Sequence, residues 1–179
     1  DQKTEHSKKT NSLVYAGRIS KDKGVEELIT AFKSLNLKEN QLKIIGGGPE
    51  YQNLKNNYES DSIIFLGEKN NKEVLEIINT SSAVVTATKL FEGQPTLLCE
   101  ASTLGVPSLF PDTGGIGEFF PDNYEFKYKQ YDYEDLKTKL IKLLQNSNMS
   151  DIGLKNKNYI EKKLDKNRLI SQLSQKIYN

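Results

Sequence analysis

The sequence predicts an α/β protein built on a single doubly wound parallel sheet of about six strands. Short β-rich runs alternate with stretches of helical period, the pattern of a parallel sheet with crossover helices. The chain has 179 residues, the usual length of one domain. Because 36% of the residues are hydrophobic and 27% are charged, the chain is polar but still has enough apolar residues to fold.

Three strand–helix units are predicted in the first half of the chain. The predicted strands are residues 13–16, 42–45 and 62–66. The first helix has apolar residues at the i, i+3, i+4, i+7 spacing of one buried face. These residues are Val25, Leu28, Ile29, Phe32 and Leu35. A polar helix is expected within residues 50–60, and a short helix is expected around residues 74–78.

The second half of the chain repeats this alternation. Its predicted strands are residues 83–87, 107–110 and 126–128, the last at an edge of the sheet. A helix between the first two ends at Gly105, a residue typical of a helix C-terminus. Two closing helices are predicted at about 134–145 and 166–178. With right-handed crossovers the units form a Rossmann-like sheet, in which ligands bind beyond the carboxyl ends of the strands.

The residue counts exclude several classes of protein and site. Lys plus Arg total 25 and Asp plus Glu total 24, so the net charge of +1 does not favour nucleic acid. The apolar runs are too short for a transmembrane span. One Cys excludes internal disulfides and fits a reducing cytoplasm, and the single His, His6, precedes the first strand. The chemistry therefore depends on carboxylates, Lys, Arg and backbone dipoles.

Two glycine-containing loops are candidates for binding phosphate. Residues 17–24 lack the glycine patterns of dinucleotide-binding and P-loop enzymes, but they carry Arg18 and Lys23 just before a helix begins. A guanidinium and an ammonium beside a helix N-terminus suit a diphosphate, although such charges are also typical of a solvated loop. The glycines at 46–48, followed by Pro49, have two interpretations as well: a phosphate cradle or a structural turn.

The loop after the fourth strand, residues 88–95, carries Glu92 and leads into a helix through Pro95. Proline is tolerated in the first turn of a helix, where its missing N–H is not needed. We expect free backbone N–H groups around Thr96 and Leu97. Such groups can hold a phosphate.

The helix that follows carries two further residues of interest. Glu100 lies about one turn into it, where a carboxylate can accept hydrogen bonds from the two hydroxyls of a ribose. An exposed helix residue is the alternative interpretation of Glu100. Cys99 has no neighbour that would activate a thiolate, so we expect a buried helix residue.

The ordered set of motifs resembles one enzyme family. The motifs are Gly17-Arg18 with Lys23-Gly24, Gly46-x-Gly48-Pro49, Phe65-Leu66-Gly67, Phe91-Glu92-Gly93 with Glu100, Gly105-Val106-Pro107, and Gly114-Gly115 with Glu118. From residue 13 to about residue 144, this order is similar to the C-terminal, donor-binding domain of the retaining group 1 (family 4) GT-B glycosyltransferases. The resemblance implies transfer of a sugar from a nucleoside-diphosphate sugar to a polysaccharide or glycolipid acceptor.

The resemblance also implies roles for individual residues. Arg18 and Lys23 match the pair that holds the diphosphate. Glu100 matches the carboxylate that binds the ribose hydroxyls. Glu92 matches the one that lies against the donor sugar and stabilises positive charge at its anomeric carbon. The other substrate-binding residues match a turn that contacts sugar and phosphate: Gln94, Pro95, Thr96 and Leu97.

One position of this turn departs from the family pattern. The family usually has Phe and Gly after the Glu-Gly of the motif, where this chain has Gln94 and Pro95. Because proline has no N–H, at least one backbone contact to the donor is expected to be absent or shifted.

The resemblance implies that the active site is shared with a second domain. In the family the acceptor binds largely in an N-terminal domain. This chain would supply the nucleotide-sugar-binding domain at 13–179, preceded by a linker or disordered lead-in at 1–12. We expect the isolated chain to bind a nucleotide sugar weakly and to transfer nothing.

The remaining implications concern cofactors, location and alternatives. The resemblance implies no cofactor and no metal, and a cytoplasmic enzyme that works at the inner face of the membrane, with room for peripheral membrane contact. Two alternatives stay open. One is another GT-B enzyme, such as a sugar-nucleotide epimerase, and the other is a non-catalytic nucleotide-binding module.

Overall fold

Six parallel strands form one sheet in a computed structural model that describes residues 10–165. The strands are β1 (Thr10–Ala16), β2 (Gln41–Ile45), β3 (Ile63–Gly67), β4 (Ser81–Val85), β5 (Ser108–Asp112) and β6 (Lys127–Lys129). Their order is β3-β2-β1-β4-β5-β6, and each neighbouring pair is parallel. Because the order reverses between β1 and β4, a crevice for ligands is expected where these two strands end.

The described residues form six α-helices, five of which fall into two packing groups, as a doubly wound sheet requires. They are α1 (Val25–Ser34), α2 (Tyr51–Tyr58), α3 (Asn71–Asn79), α4 (Thr96–Thr103), α5 (Tyr133–Leu144) and α6 (Met149–Lys163). α1 packs against α5, whereas α4 packs against α3 and α6. The predicted class, one parallel α/β sheet of six strands, is confirmed.

Local chemistry sets the ends of several helices. Gly24 precedes α1 with a left-handed backbone, at a φ of 65°. Asn70 caps α3 by accepting from the N–H of Glu73, whose carboxylate in turn accepts from the N–H of Asn70. Gly105 follows α4 at a φ of 68°, which confirms the predicted C-terminal glycine. Cys99 of α4 is buried, also as predicted, and burial raises the pKa of its thiol to about 11.

The first strand begins three residues earlier than the sequence predicts. β1 begins at Thr10, so residues 10–12 belong to the sheet and not to a lead-in. The side chain of Ser12 is fully buried, and its hydroxyl donates to the Ser81 hydroxyl of β4 at 3.0 Å. A polar pair between two central strands is satisfied internally, so burial here leaves no hydrophobic signal in the sequence.

The sequence prediction also missed α6. The buried face of this helix includes Gly153 and Asn156, which do not read as an apolar stripe. Gly153 lies so close to Gly105 that an added Cβ would come within 1.9 Å of the Gly105 carbonyl oxygen. The contact therefore depends on small size and not on hydrophobicity. The predicted closing helix at 166–178 lies outside the described residues.

Candidate active site at the switch point

Two adjoining cavities open where β1, β2 and β4 end. The first, here called the Glu92 cavity, has a volume of about 310 Å³ and is lined among others by Lys23, Glu92 and Thr96. The second, the Glu68 cavity, has a volume of about 710 Å³ and is lined among others by Glu68 and Asn71. Their linings share four residues, Ala16, Gly17, Arg18 and Leu97. The two cavities therefore form one groove across the switch point of the sheet.

The Glu92 cavity collects seven of the eight predicted site residues. They are Arg18, Lys23, Glu92, Gln94, Pro95, Thr96 and Leu97. The eighth, Glu100, lines neither cavity but lies beside the second. The side-chain amide of Asn71 donates to its Oε1 at 3.4 Å, and Asn71 lines the Glu68 cavity.

The loop after β1 is held by the glycine-rich turn after β2. The N–H of Gly17 donates to Ile45 at 3.0 Å, and the N–H of Ile19 donates to Gly47 at 2.8 Å. An added Cβ on Gly46 would lie 2.0 Å from the Gly17 carbonyl oxygen, and one on Gly48 would lie 2.4 Å from that of Ile19. This close packing supports the structural interpretation of the glycine run, which also lines the Glu68 cavity.

Arg18 stands at the rim shared by both cavities. Its backbone carbonyl accepts a hydrogen bond from the buried Tyr15 hydroxyl at 2.8 Å. Burial, with the charges of Asp22 and Glu92, raises the pKa of Tyr15, so this phenol remains a neutral donor. Arg18 is exposed, and no carboxylate of residues 10–165 forms an ion pair with it. The guanidinium thus lies at the groove without an ion-pair partner among these residues, and its charge interacts with that of Asp22.

Lys23 and Glu92 meet across the Glu92 cavity. The Nζ of Lys23 lies 2.6 Å from Oε1 of Glu92, and the Thr88 hydroxyl donates to the same oxygen at 3.0 Å. The two charged side chains are 29% and 28% exposed, so solvent screens their attraction only in part. Both residues follow central strands, and the adjacent carboxyl ends of β1 and β4 bring them together from 69 positions apart.

Several contacts fix the backbone of the Glu92 loop, residues 88–95. Lys89 forms an ion pair with Glu27, which holds the pKa of Lys89 above its usual value. The Gln130 side chain donates to two carbonyls of the loop, those of Thr88 at 3.3 Å and Leu90 at 3.4 Å.

Two further residues hold the same loop from the segments that follow β5 and β6. The Tyr131 hydroxyl donates to the Lys89 carbonyl at 2.8 Å. The N–H of Gly115 donates to the Glu92 carbonyl at 2.9 Å. Sequence reasoning assigned no role to Thr88, Gln130 or Tyr131, because their partners become visible only in three dimensions.

The start of α4 differs in one respect from the expectation. Pro95 is the N-cap residue, and the N–H of Thr96 is not free, since it donates to the Gln94 carbonyl at 3.1 Å. Helix geometry leaves the next N–H groups, those of Leu97 and Leu98, without an intrahelical acceptor. Because both residues line the Glu92 cavity, the donor end of α4 begins at the groove one residue later than expected.

The chain belongs to the glycosyl transferases group 1 family, whose model matches residues 1–163. This membership confirms the resemblance seen in the motifs. The parallel sheet with its helices is one half of a GT-B fold.

Similar proteins are known by sequence and by structure. An uncharacterized glycosyltransferase of Methanocaldococcus jannaschii is 30% identical over 157 residues, which cover 83% of this chain and 40% of the relative. The capsular polysaccharide biosynthesis glycosyltransferase CapM of Staphylococcus aureus is 25% identical over 173 residues, 92% of this chain and 45% of the relative. HepE of Anabaena, solved in complex with UDP and glucose, superposes with a TM-score of 0.79 at 15% identity over 94% of this chain and 48% of that chain. The chain thus spans less than half the length of these proteins.

Proposed function

We propose that the groove binds a nucleoside-diphosphate sugar and that the chain is the donor-binding domain of a retaining glycosyltransferase. The observation that carries the proposal is the placement of Arg18, Lys23 and Glu92 with the start of α4 around one cavity. Two cations and a helix N-terminus suit a diphosphate, and a carboxylate beside them suits a sugar that develops positive charge. The retaining outcome rests on the family resemblance.

Arg18, Lys23 and the first N–H groups of α4 would stabilise the leaving group. When the bond between the anomeric carbon and the diphosphate oxygen breaks, negative charge grows on the nucleoside diphosphate. Fixed cations and backbone donors already aimed at that charge lower the barrier without reorganising. We propose that this arrangement needs neither a metal nor another cofactor. Within residues 10–165 no group of three or more His, Cys, Asp or Glu residues could hold a metal ion.

Glu92 would act on the other side of the breaking bond. Its carboxylate is anchored by Lys23 and Thr88 in the cavity that holds the proposed diphosphate site. A negative charge there stabilises an anomeric carbon that becomes positive as the leaving group departs. Gln94 through Leu97 line the same cavity and would contact the sugar and the phosphate.

The Glu68 cavity would take the nucleoside. Glu100 lies at its margin and is oriented by Asn71, so its carboxylate can accept from the two hydroxyls of a ribose. Residues 68–69 line the same cavity and would contact the nucleobase.

The acceptor and its site belong to the whole enzyme. CapM is named for capsular polysaccharide biosynthesis, which supports a polysaccharide or glycolipid as the acceptor. We propose that a second domain binds this acceptor, so that the isolated chain transfers nothing. Cys99 is a free thiol, in keeping with the reducing cytoplasm we propose for the enzyme. Peripheral contact with the inner face of the membrane is part of the proposal. No helix in the described part of the chain is long and apolar enough to span a bilayer.

Saturation-transfer NMR of the chain with UDP, GDP, ADP and their sugar derivatives tests this function. We expect saturation to reach the ribose protons of at least one nucleotide, because the ribose would lie against Glu100 and Leu97. A non-catalytic scaffold without a nucleotide site would transfer saturation to none of them, and that result would refute the proposal. The strongest signal also identifies the donor nucleotide.

Replacing Glu100 with alanine is expected to weaken binding of the preferred nucleoside diphosphate about tenfold, since charge-assisted hydrogen bonds to the ribose are lost. Isothermal titration of the ribo- and 2′-deoxyribonucleotide measures this. The parent should prefer the ribonucleotide, and the variant should bind both forms alike.

The matched control for this experiment is Glu39→Ala. Glu39 lies just before β2, at the opposite end of the sheet, and lines a separate cavity there. The control should bind like the parent. If Glu100→Ala still discriminated against the 2′-deoxy form as the parent does, the ribose assignment would be wrong.

A further inference from the structure

Thr88 is a buried residue that lines the Glu92 cavity and contacts the Glu92 carboxylate. It is 6% exposed and begins the Glu92 loop three residues after the carboxyl end of β4. Its hydroxyl makes two hydrogen bonds: it donates to Oε1 of Glu92 at 3.0 Å and accepts from the N–H of Leu90 at 3.2 Å.

The two partners fix which hydrogen bond the Thr88 hydroxyl donates and which it accepts. A hydroxyl has one proton and two acceptor lone pairs. The N–H of Leu90 can only donate, so it occupies a lone pair of the hydroxyl. The carboxylate of Glu92 can only accept, so it takes the proton. The backbone of the loop thereby fixes the direction in which Thr88 points its donor.

The Lys23 ammonium contacts the same carboxylate oxygen, Oε1 of Glu92, and is also the proposed ligand of the diphosphate. A diphosphate with two negative charges draws the ammonium toward itself and weakens its hold on Glu92. Among the described residues, Thr88 is then the side-chain donor that remains on this oxygen.

We propose that Thr88 is a positioning residue that keeps the Glu92 carboxylate directed at the donor sugar while Lys23 engages the diphosphate. This inference rests on the function proposed for Glu92 and adds a residue to it. In this role Thr88 acts through the Glu92 carboxylate and not on the sugar or the phosphate itself.

The surroundings of Thr88 give it a rigid base. Gln130 and Tyr131 donate to the carbonyls of residues 88–90, and Gly115 donates to that of Glu92. Tyr131 has a φ of 66°, in the left-handed region that non-glycine residues rarely adopt. A strained residue of this kind persists where its surroundings hold it in place. The Thr88 hydroxyl therefore holds the Glu92 side chain in a fixed position relative to this backbone.

The test compares Thr88→Val, which keeps the shape but loses the hydroxyl, with Thr88→Ser, which keeps the hydroxyl. Isothermal titration measures the Kd of UDP and of UDP-glucose, or of the matching GDP or ADP pair if the parent binds that more tightly. Thr88→Val should bind the nucleoside diphosphate within twofold of the parent and the nucleotide sugar about fivefold more weakly. Thr88→Ser should bind both like the parent. If Thr88→Val does not fold, Thr88→Ala takes its place in the same titrations.

A double-mutant comparison separates positioning from a structural role. In a Glu92→Ala background, Thr88→Val should no longer change the affinity for the nucleotide sugar, because Thr88 acts only through Glu92. Equal losses for diphosphate and nucleotide sugar, or a loss that persists in the Glu92→Ala background, would overturn the inference. A Thr88→Val variant that binds the nucleotide sugar like the parent would overturn it as well.

The same titrations distinguish this failure from failure of the proposed function. If the parent binds no nucleotide, or if Glu92→Ala does not lower the affinity for the nucleotide sugar relative to that for the bare diphosphate, the function proposed for the site is wrong and so is the role of Thr88. If the parent binds and Glu92→Ala loses affinity while Thr88→Val does not, only the role of Thr88 is wrong.

Discussion

Replacing Lys23 with alanine is expected to weaken binding of a nucleoside diphosphate by one to two powers of ten, and Arg18→Ala is expected to act similarly. Each removes a charge-assisted hydrogen bond to phosphate, worth about 1.5 to 3 kcal/mol. For Lys23 a second effect adds to this loss. Without its ammonium, the nearby Glu92 carboxylate faces the diphosphate as an uncompensated like charge. Isothermal titration with the nucleotide preferred by the parent measures both variants.

The ion pair between Lys23 and Glu92 allows a second test of the diphosphate assignment. Glu92→Gln should tighten binding of the bare diphosphate by about two- to fivefold, because a partly exposed ion pair of about 0.2 to 1 kcal/mol no longer competes for Lys23. In the Lys23→Ala background, Glu92→Gln should recover part of the lost affinity by removing the like charge. Both effects should shrink at high salt, which screens charges at this exposure.

The control for the charge substitutions is Lys38→Ala, an exposed lysine between α1 and β2 at the far end of the sheet. It changes the net charge of the chain by the same amount and should bind like the parent. The diphosphate assignment is refuted if Arg18→Ala and Lys23→Ala also bind like the parent.

The meeting of Lys23 and Glu92 illustrates what the sequence can predict. An alternation of strands and helices is sufficient to predict a parallel sheet, and the carboxyl ends of parallel strands lie at one edge. Charged residues in the loops after the first and fourth strands were therefore expected in one region. The order β3-β2-β1-β4-β5-β6 makes those two strands neighbours and produces the contact at 2.6 Å.

Elements whose packing depends on polarity or small size were beyond sequence reasoning. α6 packs through Gly153 and Asn156, and β1 begins with residues whose buried Ser12 pairs with Ser81. Neither case gives a hydrophobic period, which is the signal on which such predictions depend.

The supports of the candidate site were missed for a different reason. Gln130 and Tyr131 contact the Glu92 loop from about 40 positions away, after β6 has returned to the sheet. Asn71 meets Glu100 from the start of α3. These contacts follow from the exact arrangement of loops, and no local pattern of residue types indicates them. The residues that would touch the substrate were therefore easier to find than the residues that hold them.

Gly46→Ala is expected to lower the free energy of unfolding by about 2 to 5 kcal/mol, the largest effect on stability among these predictions. Gly46 has a φ of 130°, which L side chains rarely adopt, and its added Cβ would lie 2.0 Å from the Gly17 carbonyl oxygen. That oxygen belongs to the backbone, so no flexible side chain can move aside. Urea denaturation followed by circular dichroism measures the change.

Relief of this clash would move the loop that carries Arg18, because Gly17 directly precedes it and is tied to Ile45 by a hydrogen bond. The variant should therefore also lose affinity for the nucleoside diphosphate under conditions where it remains folded. Gly117→Ala is the matched control, since its nearest contact would be at 3.9 Å and its φ is not positive. It should lose less than about 1 kcal/mol. Equal unfolding midpoints for the two variants would show that the turn after β2 tolerates a side chain, and that the close packing of these loops does not set the position of Arg18.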